Sequence, residues 1–214
     1  MYGKPHQRLS RAVTIRQVNV FDEIATQYDE DLFHQVVAEK LITGLADAPT
    51  PELVVDIATG TGAAAFAALQ HLGARQVVGV DLSTGMINRA RAKSARQDPL
   101  GKIAWKVAPA VPAPVEDGTA DLVVCASSLH FLGAAALRDW LRVLRPGGTI
   151  AFSLPLATAV KPAGRFAPLV AADLPLPTTV DEAAALAAGY DNAVARKMRV
   201  DGRVAFLVYA NTPG

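Results

Sequence analysis

The chain has few of the features that would place it in several common classes of protein. Its 214 residues contain one cysteine, Cys125, so no internal disulfide framework can form, and its place in an apolar run favours a buried thiol. No stretch reaches the roughly 20 apolar residues that a membrane-spanning helix needs. The first residues, MYGKPHQRLSRAV, lack the apolar centre of a secretory signal. We therefore expect a soluble, cytoplasmic protein without a membrane span.

Net charge and aromatic side chains are also scarce. The formal net charge is +1 and aromatic residues make up 6% of the chain, whereas nucleic-acid-binding proteins rely on clustered Lys and Arg and on aromatic stacking platforms. We therefore expect a small-molecule substrate and no nucleic-acid partner. Histidine, cysteine and carboxylate residues show no metal-site spacing, so no metal is expected. The sequence does not indicate an oligomeric state.

Strand-like apolar runs alternate with helical patterns from residue 53 onward. Strands are predicted at 53–57, 76–80, 102–107, 121–126 and 149–154, and helices at 62–72, 83–96 and 134–144. Such alternation builds a parallel sheet with helices on both faces. After a helix near 180–188, two strand-like runs flank Asp201-Gly202, which is a strong hairpin signal. The predicted fold is α/β and doubly wound, a mostly parallel seven-stranded, Rossmann-like sheet that ends in an antiparallel hairpin.

The two flanks of this pattern differ from its centre. A polar start is followed by helical spacing from residue 20 to about 46, which the sequence APTP then stops. We expect residues 1–45 to form an N-terminal arm and lid helices, and residues 46–214 to form the ligand-binding domain. Residues 156–178, rich in proline and alanine, interrupt the rhythm late in that domain.

A turn with two glycines follows the first predicted strand. Asp56 comes near the end of that strand, and Gly60 and Gly62 precede an alanine-rich helix. Glycines permit positive φ and close ligand approach, and open α/β sheets bind ligands beyond the carboxyl ends of their strands. Asp81, about 20 residues further on, is placed to accept hydrogen bonds from both hydroxyls of a ribose, although it can also serve as a helix N-cap. The pattern predicts a nucleoside-containing ligand.

The acid at the first strand end narrows the choice of nucleoside. Gly60-x-Gly62-x-x-Ala65 fits a dinucleotide fingerprint, and an NAD(P)-dependent oxidoreductase is therefore one alternative. A dinucleotide places its pyrophosphate at the helix N-terminus, where Asp56 would repel it. Asp56 instead suits a positively charged amino group, such as that of the methionine part of S-adenosylmethionine (SAM).

Five motifs in order resemble class I SAM-dependent methyltransferases of the small-molecule type, the ubiquinone/menaquinone or malonyl-carrier-protein methyltransferase-like group. These motifs are Phe21–Asp29, Asp56–Gly62, Asp81–Met86, Glu116–Cys125 and Leu141–Gly148. The resemblance covers roughly residues 20–155. It implies transfer of a methyl group from SAM to a small-molecule acceptor by in-line displacement. It also makes residues 46–214 a SAM-binding methyltransferase domain, with 156–178 as a short substrate-side insertion.

The resemblance implies roles for individual residues along the turn, after the second and fourth strands and on the N-terminal helix. The cofactor-binding residues it implies are Tyr28, Asp56, Ala58, Thr59, Gly60, Thr61, Gly62, Asp81, Leu82, Met86 and Ser127. Residues 58–62 would pass under the methionine part, and Asp81 would hold the ribose. Leu82 and Met86 would flank the adenine, although plain helix packing also accounts for Met86. Tyr28 would close over the cofactor, and Ser127 would lie near the methionine amino group or the substrate.

His130, in the sequence SSLHF after the fourth strand, is the candidate catalytic residue. The methyl group should emerge there, and a base is needed only if the acceptor must lose a proton. Packing at the strand end without proton transfer is the alternative. The chain departs from the family at Pro109, where an acid usually bonds the adenine amino group. This departure motivates a second hypothesis, a methyltransferase-like binding or regulatory protein without turnover.

Overall fold

The computed structural model describes residues 20–160 and 164–214, and seven strands of this part form one sheet. The strands are β1 Leu53–Ile57, β2 Gln76–Asp81, β3 Ile103–Val107, β4 Ala120–Cys125, β5 Leu144–Pro155, β6 Asp191–Val200 and β7 Arg203–Asn211. Their order is β3-β2-β1-β4-β5-β7-β6, with β7 antiparallel to both of its neighbours and the other pairs parallel. The predicted fold, including its final hairpin, is confirmed.

Helices cover both faces of this sheet. They are α1 at residues 20–24, α2 Leu32–Thr43, α3 Ala63–Leu72, α4 Thr84–Gln97, α5 Leu129–Leu132, α6 Ala134–Val143 and α7 Val180–Ala185. Short 3-10 turns lie at Tyr28–Glu30, Ala157–Ala159 and Gly164–Leu169. Within the described ranges, none of the helices has the length and apolar character needed to cross a bilayer.

The helical region predicted from residue 20 to about 46 consists of separate helices. The chain breaks after residue 24, passes through the Tyr28–Glu30 turn and enters α2 at Leu32. Asp31 adopts an extended conformation (φ −90°, ψ 97°), and its carboxylate accepts a hydrogen bond of 3.1 Å from the Phe33 N–H. An aspartate that caps the next helix in this way cannot continue the preceding one. The break matters because it brings the turn residues onto the sheet edge.

The fifth strand also begins earlier than predicted. It starts at Leu144 rather than at residue 149, and its pairing with β4 shifts register between Ala120 and Leu122. Pro146, Gly147 and Gly148 therefore lie within an irregular first part of the strand. A bulge of this kind takes up extra residues while the rest of the ladder stays paired.

The core lies in two layers, one on each face of the sheet. Consecutive residues of β1 alternate between them: Val54 packs in the layer that contains Phe66 of α3, and Val55 in the layer that contains Trp140 of α6. Both valines are completely buried, as expected for a parallel strand covered on both faces. The carboxyl end of β1, where Asp56 lies, is thus held rigidly between two packed layers.

Gly62 ends the turn after β1 at φ +91° and precedes α3. A Cβ at this position would lie 2.6 Å from Cη2 of Trp105 and 2.8 Å from Cε2 of Phe66. The indole of Trp105 is held by a hydrogen bond of 2.9 Å from its Nε1 to Ser94 Oγ. Packing beneath the turn therefore demands glycine here for two reasons, the backbone conformation and the space.

We expect Gly62→Ala to lower the free energy of unfolding by about 2–5 kcal/mol, the sum of left-handed backbone strain and overpacking. Gly202→Ala is the matched control, because Gly202 also has positive φ (+78°) but nothing lies within 4 Å of its added Cβ. In the control, backbone strain alone should lower the free energy of unfolding, by about 1–2 kcal/mol. Chemical denaturation measures both, and equal losses would contradict the packing explanation.

Candidate cofactor site

A cavity of about 290 Å³ lies where the glycine turn meets the N-terminal helices. It brings together six of the residues that the sequence predicted, namely Tyr28, Asp56, Ala58, Thr59, Gly60 and Thr61. Small side chains of α2 and α3 form part of its wall, and Ala126, which follows β4, also lines it. The cavity thus joins the carboxyl ends of two neighbouring strands, the place where an open α/β sheet binds its ligand.

Asp56 is 1% exposed and places a carboxylate at one end of this cavity. Its Oδ2 accepts hydrogen bonds from Thr59 Oγ1 at 2.5 Å and from the Ala65 N–H at 3.0 Å. These two donors favour the charged form, but burial outweighs them and raises the pKa of Asp56 to about 7. The site therefore holds a negative charge that the protein compensates only in part.

A positively charged ligand fits this end of the cavity better than an anion does. Of the ionisable side chains around it, Asp29, Asp31, Glu39 and Asp56 are acids, and Lys93 is the cation among the described lining residues. A bound ammonium group would favour ionised Asp56, and a pyrophosphate would be repelled. The charges around the cavity thus agree with the preference for a positively charged ligand group that the position of Asp56 predicted.

Asp81 lies beside the cavity rather than in its wall. Its Oδ2 accepts a hydrogen bond from the Gly60 N–H and its Oδ1 one from the Ser83 N–H, both at 2.8 Å. The N-cap of α4 is Ser83, whose Oγ accepts a 3.1 Å hydrogen bond from the Met86 N–H, so the alternative N-cap role of Asp81 is wrong. Burial raises the pKa of Asp81 despite these backbone donors. Asp81 thus ties the glycine turn to the start of α4.

The two residues predicted to flank the adenine differ in exposure. Leu82 is half-buried and follows directly after β2, whereas Met86 is 1% exposed. Met86 has the burial that plain helix packing predicts, since almost none of its surface is open to a ligand. Neither residue lines the cavity, so their predicted contacts with adenine stay predictions.

Two non-glycine residues of the predicted set have left-handed backbone conformations. Ala58 has φ +52° and Ser127 has φ +63°. Such a conformation costs a residue with a Cβ about 1–2 kcal/mol. A hydrogen bond of 2.7 Å from the Ser127 N–H to Ser153 Oγ holds the second of these turns. Strain of this kind persists where the surrounding structure fixes the backbone, as it often does at functional sites.

Asp29 connects the N-terminal segment to the glycine turn and to α4. Its Oδ1 accepts hydrogen bonds from Thr61 Oγ1 at 2.6 Å and from Lys93 Nζ at 2.7 Å, and its Oδ2 accepts one of 3.2 Å from Arg89. Lys93 Nζ also lies 2.9 Å from Thr61 Oγ1. The donors outweigh partial burial and lower the pKa of Asp29. This network fixes the position of its neighbour Tyr28.

Tyr28 lies beside the glycine turn, and its predicted contact with the cofactor stays a prediction. Its Cε1 would be 3.8 Å from a Cβ built on Gly60, and its ring stacks on His34 with centroids 5.4 Å apart. Burial raises the pKa of the Tyr28 hydroxyl, so it stays protonated at neutral pH.

Asp22 of α1 attaches the N-terminal segment to the start of α4. Its Oδ1 accepts hydrogen bonds from Ser83 Oγ at 2.5 Å and from the Gly85 N–H at 2.9 Å.

His130 lies on α5, beyond the carboxyl end of β4, in aromatic surroundings. Its ring centroid is 3.9 Å from that of Phe131, and the Phe21 ring lies 5.7 Å from Phe131 and 6.0 Å from Phe166. Burial, with a smaller contribution from His34, lowers the pKa of His130 to about 4. The imidazole is therefore neutral at physiological pH and is a weak base.

Sequence reasoning missed three side chains that shape this site: Asp22, Asp29 and His34. The two aspartates belong to the N-terminal motif that carried the resemblance, so the motif itself was a signal for them. His34 lies in α2 at no recognisable spacing from another polar group, and only the structure places it in the cavity wall. Gly62, Ser127 and His130 lie around the cavity, in the turn before α3 and after β4, without lining it.

Replacing Asp56 by asparagine should stabilise the protein without its ligand at alkaline pH. Because the folded-state pKa of about 7 exceeds the ordinary value of 3.8, the folded protein binds the extra proton and loses stability as pH rises from about 4 to 7. The asparagine side chain cannot ionise, and its amide oxygen can accept the same two hydrogen bonds. At pH 8 we expect a gain of about 2–4 kcal/mol in unfolding free energy, shrinking towards zero at pH 4. Thermal melts across this range measure the difference, and a pH-independent difference would contradict the burial account.

Comparisons with known proteins agree with this geometry. Residues 54–148 match the family model described as a methyltransferase domain. The chain is 37% identical over 114 residues to the ubiquinone/menaquinone biosynthesis C-methyltransferase UbiE of Geobacter sulfurreducens, covering 50% of this chain and 44% of the relative. It is 33% identical over 144 residues to the aklanonic acid methyltransferase DauC of a Streptomyces species, covering 65% and 64%. The chain thus spans less than two thirds of the length of either relative.

A solved structure shows the same fold at low sequence identity. It is the 1,6-didemethyltoxoflavin-N1-methyltransferase of Burkholderia thailandensis, with bound 1,6-didemethyltoxoflavin and S-adenosylhomocysteine. The TM-score is 0.70 and the identity 18%, over 100% of this chain and 92% of that one. The resemblance to class I SAM-dependent methyltransferases is confirmed by the match of residues 54–148 to the methyltransferase domain model and by the two curated relatives, and the solved structure shows the same fold.

Proposed function

We propose that the protein transfers a methyl group from SAM to a small-molecule acceptor by in-line displacement. The observation that carries this proposal is the buried Asp56 carboxylate, which opens onto a cavity of about 290 Å³ beside a glycine turn. An acid whose charge is compensated only in part is suited to the amino group of the methionine part and unsuited to a pyrophosphate. The match to the methyltransferase domain family supports the same choice.

The residues present fit the cofactor in distinct roles. Asp56 and residues 58–62 bind the methionine part, and Asp81 holds the ribose at the end of β2. Leu82 and Met86 flank the adenine, and Ser127 lies towards the methionine amino group. SAM, when bound, supplies a methyl group already activated on a sulfonium, so the protein contributes mainly alignment and exclusion of water.

The N-terminal segment serves as a cover over the bound cofactor. Asp29 anchors it to Thr61, Arg89 and Lys93, and Tyr28 then lies over Gly60. In this proposal residues 1–45 form the arm and lid and residues 46–214 the methyltransferase domain, although residues 1–19 and 161–163 lie outside the described part. Residues 156–178 contribute to the acceptor side through Phe166, which packs near Phe21 of the lid.

His130 positions the acceptor rather than serving as a strong base. Its imidazole lies on α5 beyond β4, and burial holds its pKa near 4, so it stays neutral and can accept a hydrogen bond from the acceptor. A base with so low a pKa has little driving force to remove a proton completely. The formal net charge of +1 gives no reason to propose a nucleic-acid substrate.

Calorimetry with SAM, S-adenosylhomocysteine and NAD(P) tests the cofactor proposal. We expect binding of the first two and none of NAD(P), because Asp56 disfavours a pyrophosphate at the turn. A product-mass screen with labelled SAM over quinones, phenols and acyl carriers then identifies the acceptor. Tight NAD(P) binding without SAM binding would overturn the proposal.

With the acceptor found in that screen, His130→Ala should lower kcat by about 10-fold or more, because the acceptor loses a contact that aligns it with the methyl group. SAM affinity should stay within about twofold, because His130 does not line the cofactor cavity. Steady-state kinetics and calorimetry measure the two quantities. Unchanged turnover would remove His130 from the reaction.

One observation favours a second function, a methyltransferase-like binding or regulatory protein. Pro109 after β3 is exposed and provides no side-chain acceptor for the adenine amino group, so that edge must rely on backbone carbonyls. If SAM binds but the screen yields no methylated product, this second function is favoured. Loss of SAM binding in Asp81→Ala with the cellular role intact would then establish it.

A further inference from the structure

His34 is a polar side chain in the cavity wall to which the family resemblance assigns no role. It lies in the first turn of α2, and its side chain is 34% exposed. It lines the same cavity as Asp56 and Thr59. His34 therefore shares a cavity with the carboxylate that is proposed to meet the amino group of the cofactor.

The two ring nitrogens of His34 have different surroundings. Nε2 faces the carboxylate of Asp31, with Oδ2 at 4.0 Å, and Asp31 is held in place by hydrogen bonds from Arg203. A carboxylate on this side favours the tautomer that carries its proton on Nε2. Nδ1 is then an acceptor, and within the described part of the chain it is buried and has no hydrogen-bond partner.

Neighbouring rings fix the orientation of this imidazole. The Tyr28 ring stacks on it at an interplanar angle of 17°, and the Phe33 ring meets it edge-on at 84°, each with centroids 5.4 Å apart. Burial lowers the pKa of His34, so the ring is neutral at physiological pH. A buried acceptor without a donor destabilises the protein, and a ligand that brings a donor removes this cost.

An ammonium group has three N–H donors, and the Asp56 carboxylate can satisfy only part of them. We propose that His34 is a cofactor-binding residue whose Nδ1 accepts a hydrogen bond from the amino group of the methionine part of SAM. This inference rests on the proposed function and adds to it a residue from the lid side of the cavity. Asp56 provides a charge opposite to that of the ammonium group. His34 provides a neutral acceptor whose direction is fixed by the neighbouring rings.

Two probes separate the amino-acid part of the cofactor from the rest. S-adenosylhomocysteine carries the amino acid, whereas 5′-methylthioadenosine lacks it. In His34→Phe, which keeps a ring against Tyr28, the affinity for S-adenosylhomocysteine should fall about 5- to 15-fold, the worth of one hydrogen bond. The affinity for 5′-methylthioadenosine should stay unchanged. His34→Asn, which keeps an acceptor oxygen near the Nδ1 position, should recover part of the loss.

Leu32→Phe is the matched control, because Leu32 lies in the same turn of α2, is 59% exposed and does not line the cavity. It should change neither affinity, and melting curves verify that every variant is folded. Equal loss of both ligands in His34→Phe, or no loss of either, would overturn the assignment while the proposed function stands. Failure of the wild-type protein to bind either probe would overturn the proposed function and the assignment together.

Discussion

The rest of the site depends on one buried carboxylate, that of Asp56. Two packed layers hold the end of β1 rigid, and Asp56 is closed off from bulk water there, with Thr59 and the Ala65 N–H as its donors among the described residues. A buried charge that is compensated only in part costs folding free energy. That cost is reasonable if a cationic ligand group arrives at the same place, because the ligand then removes it. The buried Asp56 charge thus both destabilises the protein without its ligand and favours a cationic ligand.

The N-terminal segment is held in two ways: α2 packs in the hydrophobic core through Val37, Leu41 and Ile42, and residues 20–31 reach the site through polar contacts. Asp29 gathers Thr61, Arg89 and Lys93, and Asp22 holds the start of α4 through Ser83 and Gly85. Such half-exposed contacts contribute modestly one by one. Together they hold Tyr28 beside the glycine turn.

Local sequence predicted the sheet, the turn and most helix ends, because strand alternation, helical spacing and the Asp201-Gly202 turn are features of short segments. The early start of β5 was not predicted, since it depends on pairing with β4. The division between the N-terminal helices was not located either, although Asp31 caps α2 through a local hydrogen bond. The N-terminal motif pointed to Asp29, but its partners Thr61 and Lys93 lie 32 and 64 positions away, and a single sequence contains no signal for such pairs. Ala58 was predicted at the turn, but its left-handed backbone became visible only in the structure.

The central claim is that Asp56 exchanges a proton for a cationic ligand group. Calorimetric titration of S-adenosylhomocysteine into the wild-type protein, in buffers of different ionisation enthalpy, measures protons released on binding. Because the pKa of Asp56 is about 7, it is about half protonated at pH 7, and binding should release about 0.5 proton per site there. At pH 9 the release attributable to this carboxyl should vanish. Binding at pH 7 without proton release, or with net uptake, would contradict the account.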